Sequence, residues 1–281
     1  MRAAAILGPG DLARPVANFQ RQTRAEWTSL IEQADVAVIF GGDGTIHHQL
    51  ADLVELDVPL LVVPCGSGND FARALNVRRV SDSVTAYRRF AASSTVRTID
   101  LGIIRELETA GPGAREHYFC CVAGVGIDAA IAKRANALPR WVRGHGGYAI
   151  SAPREFFRFA PFPMAVSCNG AAARSRPVIL AAVANAPAFG GGMKIAPEAR
   201  LDDGKLDVCI VGGMDVFKLF CLFPTVFFGR HLGFKEVEYR QTTSVKIETE
   251  YPLDVYADGE FVCPTPVEIT VARNALKVIV P

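Results

Sequence analysis

Two glycine-rich turns are the segments of this chain whose residue types and spacing are best suited to chemistry. Residues 41–45 (GGDGT) follow the apolar run 36–40, and residues 66–70 (GSGND) follow the apolar run 60–65. A helix-like segment comes after each turn. A glycine turn between a buried strand and a helix leaves a cluster of backbone N–H groups without partners, and such a cluster binds phosphate. We therefore predict that the two turns face one polyphosphate and that the chain binds a nucleotide.

Asp43 stands between two glycines of the first turn and is a candidate magnesium ligand. Aspartate beside glycine is common in ordinary turns, but four of the five residues in this turn are Gly or Asp, more than turn geometry needs. A carboxylate among free N–H groups is well placed to hold Mg²⁺ beside a triphosphate. No Gly-Lys-Ser/Thr follows, so this is not a Walker A loop, and the cation opposing the phosphate charge must come from the metal or from elsewhere.

Other polar residues of the two turns have both structural and functional interpretations. Thr45 is predicted to cap the helix after the first turn, and Asn69 to cap the helix after the second. A capping hydroxyl can also contact a phosphate, and Ser67 and Asp70 share this ambiguity.

The elements that must position these turns are strands and helices in alternation. Over residues 1–95 the pattern predicts βαβ units and a parallel sheet flanked by helices, a three-layer α/β nucleotide-binding domain. Ligands of such sheets bind at the carboxyl ends of the strands, where both turns lie. The predicted strands are 3–7, 36–40 and 58–63, and the predicted helices are 25–33, 45–56, 69–76 and 81–92.

From about residue 96 to residue 281 the pattern changes to many short strands rich in β-branched residues, which predicts a second domain built as an antiparallel β-sandwich. The last strand of this domain is allowed to return to the first. Three predicted helices interrupt the series, at 127–137, 146–159 and 214–228. The predicted strands are 96–104, 118–123, 164–168, 178–183, 206–211, 244–248, 253–256, 267–271 and 276–280.

The composition excludes several classes of protein. A chain of 281 residues, half of them hydrophobic, is long enough for two cores. The net charge of +1 lacks the basic balance of a nucleic-acid-binding protein. Seven scattered cysteines without a CxxC pair indicate reduced, buried thiols rather than a disulfide or metal framework. The N-terminus is too short for a signal peptide, and no apolar run reaches the roughly 20 residues of a membrane span.

Three downstream segments exceed plain connections or concentrate charge. Residues 201–205 (LDDGK) are at minimum a hairpin turn, and 190–197 (GGGMKIAP) before them make a simple loop an insufficient explanation. Residues 258–260 (DGE) also have hairpin chemistry, and the pattern alone favours Glu260 as an exposed turn carboxylate. A basic cluster with an interleaved aromatic suits anionic lipid headgroups, a nucleic-acid backbone or simply solvent. Its members are Lys133, Arg134, Arg140, Trp141, Arg143, Arg154 and Arg158.

Taken together, these motifs and their order resemble the diacylglycerol kinase catalytic-domain family, most closely its bacterial soluble lipid kinases, which are related to sphingosine kinases. The resemblance covers nearly the whole chain. The GGDGT pentapeptide alone is shared with NAD kinases and phosphofructokinase-like proteins, whereas the succession GGGMKIAP, LDDG and DGE is far more specific.

The resemblance implies transfer of the ATP γ-phosphoryl group to a lipid hydroxyl, with diacylglycerol to phosphatidic acid as the first choice, in a cleft between the two domains. It implies that Glu260 is the general base, with Asp43 as the second catalytic residue. It also implies a structural Mg²⁺ site at Arg200, Asp203 and Lys205, partly through main-chain carbonyls. The implied ATP-binding residues are Gly41, Gly42, Asp43, Gly44, Thr45, Gly66, Ser67 and Asn69, with Thr23 as a further match.

The chain departs from the family pattern at two places. His47-His48 replaces the usual Asn-Glu after GGDGT and an aliphatic residue, and Gly8-Pro9-Gly10 stands where an Asn-Pro turn is common. Adjacent histidines point about 100° apart on a helix, so they cannot chelate one metal from the same face, although one ring can approach the nucleotide.

The expected partners are ATP, Mg²⁺, a lipid substrate and an anionic membrane surface, with no nucleic acid. We expect a cytoplasmic enzyme that associates peripherally with the inner membrane face; its oligomeric state is left open, a homodimer being one option. Two alternatives remain: a kinase of a soluble acceptor such as NAD, and a nucleotide-binding regulator without catalysis.

Overall fold

The N-terminal part of the chain is a parallel sheet covered by helices on both faces. The computed structural model describes residues 1–107, 116–137, 147–158 and 160–281. Four strands lie in the spatial order β2-β1-β3-β4. Strand β3 is buried at every position, as expected for a parallel strand between two helical layers. The strands are β1 (Arg2–Leu7), β2 (Glu26–Thr28), β3 (Val36–Gly41) and β4 (Leu60–Pro64).

Alternate side chains of β3 enter two different cores. Phe40 packs edge-on against Phe19, which also contacts Tyr87, with ring centroids 5.5 and 5.4 Å apart. Ile39 joins the opposite core with Leu50. The helices that supply these layers are α1 (Ala13–Thr23), α2 (Asp43–His47), α3 (Leu50–Glu55), α4 (Asp70–Ala74) and α5 (Val80–Ser93).

The C-terminal part is a folded antiparallel sheet, which confirms the predicted sandwich. The central strand β9 pairs with β7, β8 and β10, and the long strand β15 pairs with β5 and β12. Inward side chains of facing strands form a separate core. The strands are β5 (Arg97–Glu106), β6 (Glu116–Phe119), β7 (Val122–Gly126), β8 (Phe162–Cys168), β9 (Arg176–Ala184), β10 (Leu206–Gly212), β11 (Val237–Thr242), β12 (Ser244–Thr249), β13 (Asp254–Ala257), β14 (Glu260–Pro264) and β15 (Val267–Val278).

The end of β15 joins the two parts. Val278 pairs in parallel with Leu60 of β4, and Ile279 N donates to Leu60 O at 2.8 Å. Hydrogen-bonded strands therefore run from β2 at one edge through both parts of the molecule. The change from parallel to antiparallel pairing falls after α5.

Among the described residues of the C-terminal part, the longer helices are α6 (Ile127–Asn136), α7 (Gly147–Phe156) and α8 (Val216–Val226). The Phe156 ring packs edge-on against Phe220 and Phe223, which fixes α7 on α8. Two 3₁₀ turns occur at Ile31–Gln33 and His231–Gly233. Over residues 1–107, 116–137, 147–158 and 160–281, each helix is too short or too polar to span a membrane.

Some local predictions were wrong. Residues 25–33 form β2 and a 3₁₀ turn instead of a helix, because Trp27 packs against Phe19 and Phe40 while its backbone pairs with β1. Helix α1 and strand β11 were not predicted. The two strands predicted at the C-terminus are one strand, β15, with an irregularity between Ala272 and Leu276.

Candidate active site

Both glycine turns open into one cavity of about 820 Å³ at the carboxyl edge of the parallel sheet. The backbones of the turns are in direct contact: a Cβ on Gly66 would lie only 2.4 Å from the Cα of Gly42. The opposite wall comes from the C-terminal part, through α6, the loop at 189–191 and the β13–β14 hairpin. The cavity therefore lies between the two parts of the molecule.

The first turn is built so that Thr45 fits against glycine backbone. A Cβ on Gly8 or on Gly41 would lie 2.6 Å from Thr45 Oγ1. The N-cap of α2 is Gly42, and Thr45 lies inside the helix, so the prediction that Thr45 caps it was wrong. The Thr45 side chain instead packs the end of β1 against the end of β3, which closes the floor of the cavity.

The second turn is closed by Asn69, which adopts the left-handed conformation with φ +52°. Its Oδ1 accepts a hydrogen bond from Gly66 N at 2.9 Å, and its Nδ2 donates to Gly66 O at 2.6 Å. Asn69 occupies the N-cap position of α4 but makes no side-chain capping bond. Its amide shapes the turn, leaving Ser67 exposed on the cavity wall.

Asp43 connects the two turns. Its Oδ2 accepts from Asp70 N at 3.1 Å and its Oδ1 accepts from Phe71 N at 3.0 Å. Burial, followed by the charge of Asp70, raises the pKa of Asp43 to about 6 in spite of these two hydrogen bonds. Because the carboxylate charge is under-compensated here, a cation bound beside it would be stabilised.

Asp70 is a site residue that the sequence argument left as an ambiguous turn residue. Its carboxylate is buried, pairs with Arg73 and accepts from Gly191 N at 2.7 Å. Asp70 therefore connects the second glycine turn to the loop at 189–191, which the sequence identified only as too elaborate for a plain connection.

The β13–β14 hairpin brings Glu260 to the first glycine turn. Glu260 Oε1 lies 2.9 Å from the position that a Cβ on Gly44 would take, so Gly44 has to be glycine for the carboxylate to approach. The side chain is half-buried on the cavity wall, and the interpretation of Glu260 as an exposed turn residue was wrong.

Asp128 also lines the cavity, and the sequence argument missed it. It lies in the first turn of α6, its Oδ1 accepts from Ala129 N at 2.8 Å, and burial raises its pKa to about 7. A Cβ on Gly124 would lie 1.5 Å from Asp128 Oδ2, so the glycine of β7 makes room for the carboxyl. The usable signal was a single acidic residue after a glycine-containing apolar strand.

Comparison with known proteins decides the family. Residues 15–104 match the diacylglycerol kinase catalytic domain, and residues 121–280 match the YegS C-terminal NAD kinase beta sandwich-like domain. A diacylglycerol kinase of Mycobacterium tuberculosis is 34% identical over 247 residues, which cover 88% of this chain and 77% of the relative. The chain belongs to the diacylglycerol kinase family. It is an ATP-dependent lipid kinase.

One further relative and one solved structure are also similar to this chain. A diacylglycerol kinase of Bacillus subtilis (strain 168) is 23% identical over 261 residues, covering 92% of this chain and 82% of the relative. A crystal structure of a diacylglycerol kinase from Bacillus anthracis str. Sterne superposes with a TM-score of 0.67 at 19% identity, over 100% of this chain and 97% of that one. The latter likeness establishes the shared fold.

The structure does not bring Thr23 to the cavity. Strand β2 begins beside Arg2 at the amino edge of the sheet, and Thr23 precedes β2 at the end of α1. Its hydroxyl donates to Phe19 O at 2.8 Å. The glycine turns lie at the opposite edge, because α1 must cross the sheet to connect two parallel strands. The position of Thr23 therefore argues against the prediction that it contacts ATP.

Arg200, Asp203 and Lys205 lie in a turn away from the cavity, where Asp203 Oδ1 accepts from Lys205 N at 3.1 Å. Buried Asp100 fixes this turn by accepting from Gly204 N at 2.6 Å.

The surroundings of that turn fit a divalent cation. In nearby Asp207, Oδ1 accepts from Tyr239 Oη at 2.6 Å, whereas buried Oδ2 has no hydrogen-bond partner. Burial raises the pKa of Asp207, and the charges of Asp203 and Glu198 raise it further. An under-compensated carboxylate of this kind is a chemically suitable magnesium ligand.

The thiols near the cavity behave as core residues. Cys120 and Cys121 are buried, and burial raises the pKa of Cys120 to about 12. Together with Asp258 they are close enough to form a metal site in principle. Both Asp258 oxygens, however, already accept backbone hydrogen bonds, and neutral thiols are poor ligands.

The basic cluster is partly neutralised. Lys133 Nζ lies 2.9 Å from Asp254 Oδ2, and Arg134 pairs with Glu155. Arg154 and Arg158 are exposed. Arg140, Trp141 and Arg143 lie outside the described residues.

Proposed function

We propose that this kinase transfers the γ-phosphoryl group of ATP to the hydroxyl of diacylglycerol, giving phosphatidic acid. The observation that carries the proposal is the position of Glu260, whose carboxylate projects to the first glycine turn from the other side of a shared cavity. One end of that cavity is lined by glycine backbone, which suits phosphates. The other end is lined by apolar side chains, which suit an acyl glycerol.

The glycine turns would position the triphosphate. Residues 41–45 and 66–68 line the cavity, and the absence of Cβ atoms on their glycines lets phosphate oxygens approach the backbone. Asp43, with Asp70 beside it, would hold the Mg²⁺ that accompanies ATP. When bound, such an ion neutralises charge on the phosphate oxygens. The turn with Arg200, Asp203 and Lys205 would hold a second, structural Mg²⁺ through the Asp203 carboxylate and main-chain carbonyls.

Glu260 would act as the general base. A lipid hydroxyl is a poor nucleophile unless its proton is accepted as the new O–P bond forms, and the Glu260 carboxylate is the acceptor. The base sits at the start of β14, so its position is set by a paired strand rather than by a mobile loop.

The acceptor would enter at the apolar end of the cavity. Ala132 and Ala135 of α6 line this end together with Val122 and Tyr256. These side chains suit the upper part of an acyl chain, and Asp128 is placed to hydrogen-bond the polar glycerol region. A soluble dinucleotide acceptor would be served less well by this lining.

The test is a phosphorylation assay with labelled ATP and three acceptors: diacylglycerol in mixed vesicles, a total membrane lipid extract, and NAD. Glu260→Gln keeps the size of the side chain and removes its basicity. We expect labelled phosphatidic acid from the natural enzyme and a turnover number lower by about 10²–10⁴-fold in the variant, with ATP still bound. Glu250→Gln, an exposed glutamate in the turn after β12, is the matched control.

Each other outcome has a distinct meaning. Labelling of NAD alone would support a kinase of a soluble acceptor. ATP binding without turnover on any acceptor would support a catalytically inactive regulator. A Glu260→Gln enzyme with near-normal turnover would return Glu260 to a structural role in the hairpin.

We also propose reversible contact with an anionic membrane, through exposed aromatic residues of α8 rather than through Lys133 and Arg134 of the basic cluster. Phe217, Cys221, Pro224 and Phe228 are exposed on α8 and at its end at i, i+4, i+7 and i+11, and together form the α8 stripe. Phe217 and Phe228 are 86% and 74% exposed. Phe157, 73% exposed, contacts Phe220 at the side of the stripe, beside Arg154 and Arg158. Exposed aromatic residues next to arginines are typical of interfacial helices.

A further inference from the structure

A side-chain contact joins the nucleotide part of the site to the hairpin that carries the proposed base. His47 is the last residue of α2, the short helix that begins at Asp43. Its Nδ1 lies 3.2 Å from Asp258 Oδ2, although the two residues are 211 positions apart in the chain. The side chains are 11% and 0% exposed, so the contact is shielded from solvent.

The hydrogen-bond partners of Asp258 show which atom carries the proton in its contact with His47. Asp258 Oδ1 accepts from Cys121 N at 2.8 Å and Val122 N at 3.2 Å, and Oδ2 accepts from Cys120 N at 2.9 Å. A carboxylate that receives three N–H donors is an acceptor, so His47 Nδ1 must carry the proton of the shared bond.

The charges around His47 favour that protonation. Burial lowers the pKa of His47, but the hydrogen bond to Asp258 and the negative charges of Asp258 and Glu260 outweigh it and raise the pKa above its ordinary value. His48 packs edge-on against His47, with ring centroids 5.7 Å apart. When His47 is protonated, the contact is a charge-assisted hydrogen bond.

The contact sits where the distance between the two halves of the site is set. Asp258 opens the turn between β13 and β14, and Glu260 follows two residues later. The hairpin is attached to β7 by paired backbone, whereas its attachment to the phosphate-binding turn passes through His47 and the approach of Glu260 to Gly44.

We propose that His47 is a positioning residue for phosphoryl transfer: by donating to Asp258 it holds the hairpin, and with it Glu260, at a fixed distance from the phosphate-binding turn. This inference rests on the proposed function, in which Glu260 is the base. It also explains how a histidine occupies a position where the family pattern leads us to expect asparagine. Asparagine Nδ2 and histidine Nδ1 are separated from their Cα by the same number of bonds, so an amide can supply the same donor.

The test compares His47→Asn, His47→Gln and His47→Ala in the phosphorylation assay with diacylglycerol vesicles. Glutamine carries its donor one bond farther from the backbone and cannot make the same contact. We expect Asn to keep the turnover number within a few-fold of the natural enzyme, and Gln and Ala to lower it by about 100-fold, because small misplacements of a catalytic group cost that much. The KM for ATP should change little in all three, since the glycine turns are intact.

A double variant tests whether His47 acts through Glu260. In Glu260→Gln enzyme, His47→Ala should lower turnover only a few-fold further, because the group it positions is already disabled. Thermal unfolding of each variant separates loss of activity from loss of folded protein; if His47→Ala does not fold, the Asn and Gln pair decides.

Three results would overturn the inference: equal turnover in the Asn and Gln variants, a full 100-fold loss of turnover on adding His47→Ala to Glu260→Gln, or an increase in the KM for ATP that accounts for the whole effect. Failure of the proposed function looks different, because then the natural enzyme itself would not phosphorylate diacylglycerol.

Discussion

The two walls of the cavity differ in whether backbone or side-chain atoms line them. The N-terminal wall is backbone: glycines of two turns that touch each other, shaped by Asn69 and Thr45. The C-terminal wall is side chain: Glu260, Asp128 and Tyr256, presented by strands and a helix. Phosphates are alike in every nucleotide and can be bound by N–H groups, whereas an acceptor must be given a base and an apolar contact surface. Under the proposed function, donor binding would depend on main-chain geometry and acceptor chemistry on individual side chains.

The largest effect on this comparison is expected at Asp43, a carboxylate that lies between glycines of the backbone wall. We expect Asp43→Asn to lower kcat/KM by about 10³-fold or more, because it removes the charge that would hold the cation beside the phosphates. Steady-state kinetics with varied ATP and Mg²⁺, with circular dichroism as a check of folding, measure this. Activity within a few-fold of the natural enzyme would show that the backbone wall works without the Asp43 carboxylate.

A methyl group on the backbone wall tests its dependence on glycine. In Gly66→Ala the new Cβ would lie 2.4 Å from Gly42 Cα, so the two turns must separate. We expect kcat/KM for ATP to fall by about 100-fold. Gly233→Ala is the control, because a Cβ there meets nothing within 4 Å. Equal behaviour of the two variants in the assay would mean that the contact between the turns is dispensable.

On the side-chain wall, Asp128→Asn should change how the stability of the protein depends on pH. The pKa of Asp128 is raised by burial from 3.8 to about 7, so the folded state binds its proton more tightly than the unfolded state. The stability contribution of Asp128 therefore falls as pH rises from about 4 to about 7. Urea unfolding should show that, between pH 5 and pH 8, the free energy of unfolding of the Asn variant rises relative to that of the natural protein by up to about 3 kcal/mol. A pH-independent difference would contradict the buried, titrating carboxyl.

The smallest expected effect concerns the outer surface of the C-terminal part. We expect Phe217→Ser with Phe228→Ser to weaken co-sedimentation with anionic vesicles by about 10-fold, since two exposed rings would no longer enter the interface. Lys133→Gln should change binding by about two-fold or less, because Lys133 is paired with Asp254 at the protein surface. A larger loss of vesicle binding in Lys133→Gln than in the double Phe variant would place the membrane contact at Lys133 instead of at the α8 stripe.

Local sequence was enough to predict the backbone wall and the class of fold. The glycine turns, their place after buried strands and the change from βαβ units to antiparallel strands all depend on residues within a few positions of one another. The same local rules were wrong at residues 25–33, where Trp27 is fixed by Phe19 and Phe40. Helical periodicity there was weaker than the tertiary packing of one aromatic ring. The roles assigned to Asp43, Glu260 and the Arg200–Lys205 turn stay predictions.

By itself the sequence determined where the glycine turns form, because a glycine-rich turn between a strand and a helix is specified by neighbouring residues. Only the tertiary structure decided which distant groups face those turns. Asp70 reaches Gly191, Glu260 reaches Gly44, and His47 meets Asp258 across 211 residues. The physical reason is that such pairs depend on the joint path of β4, β7, β13 and β15, and no local pattern encodes the distance between strands that meet only after the whole chain has folded.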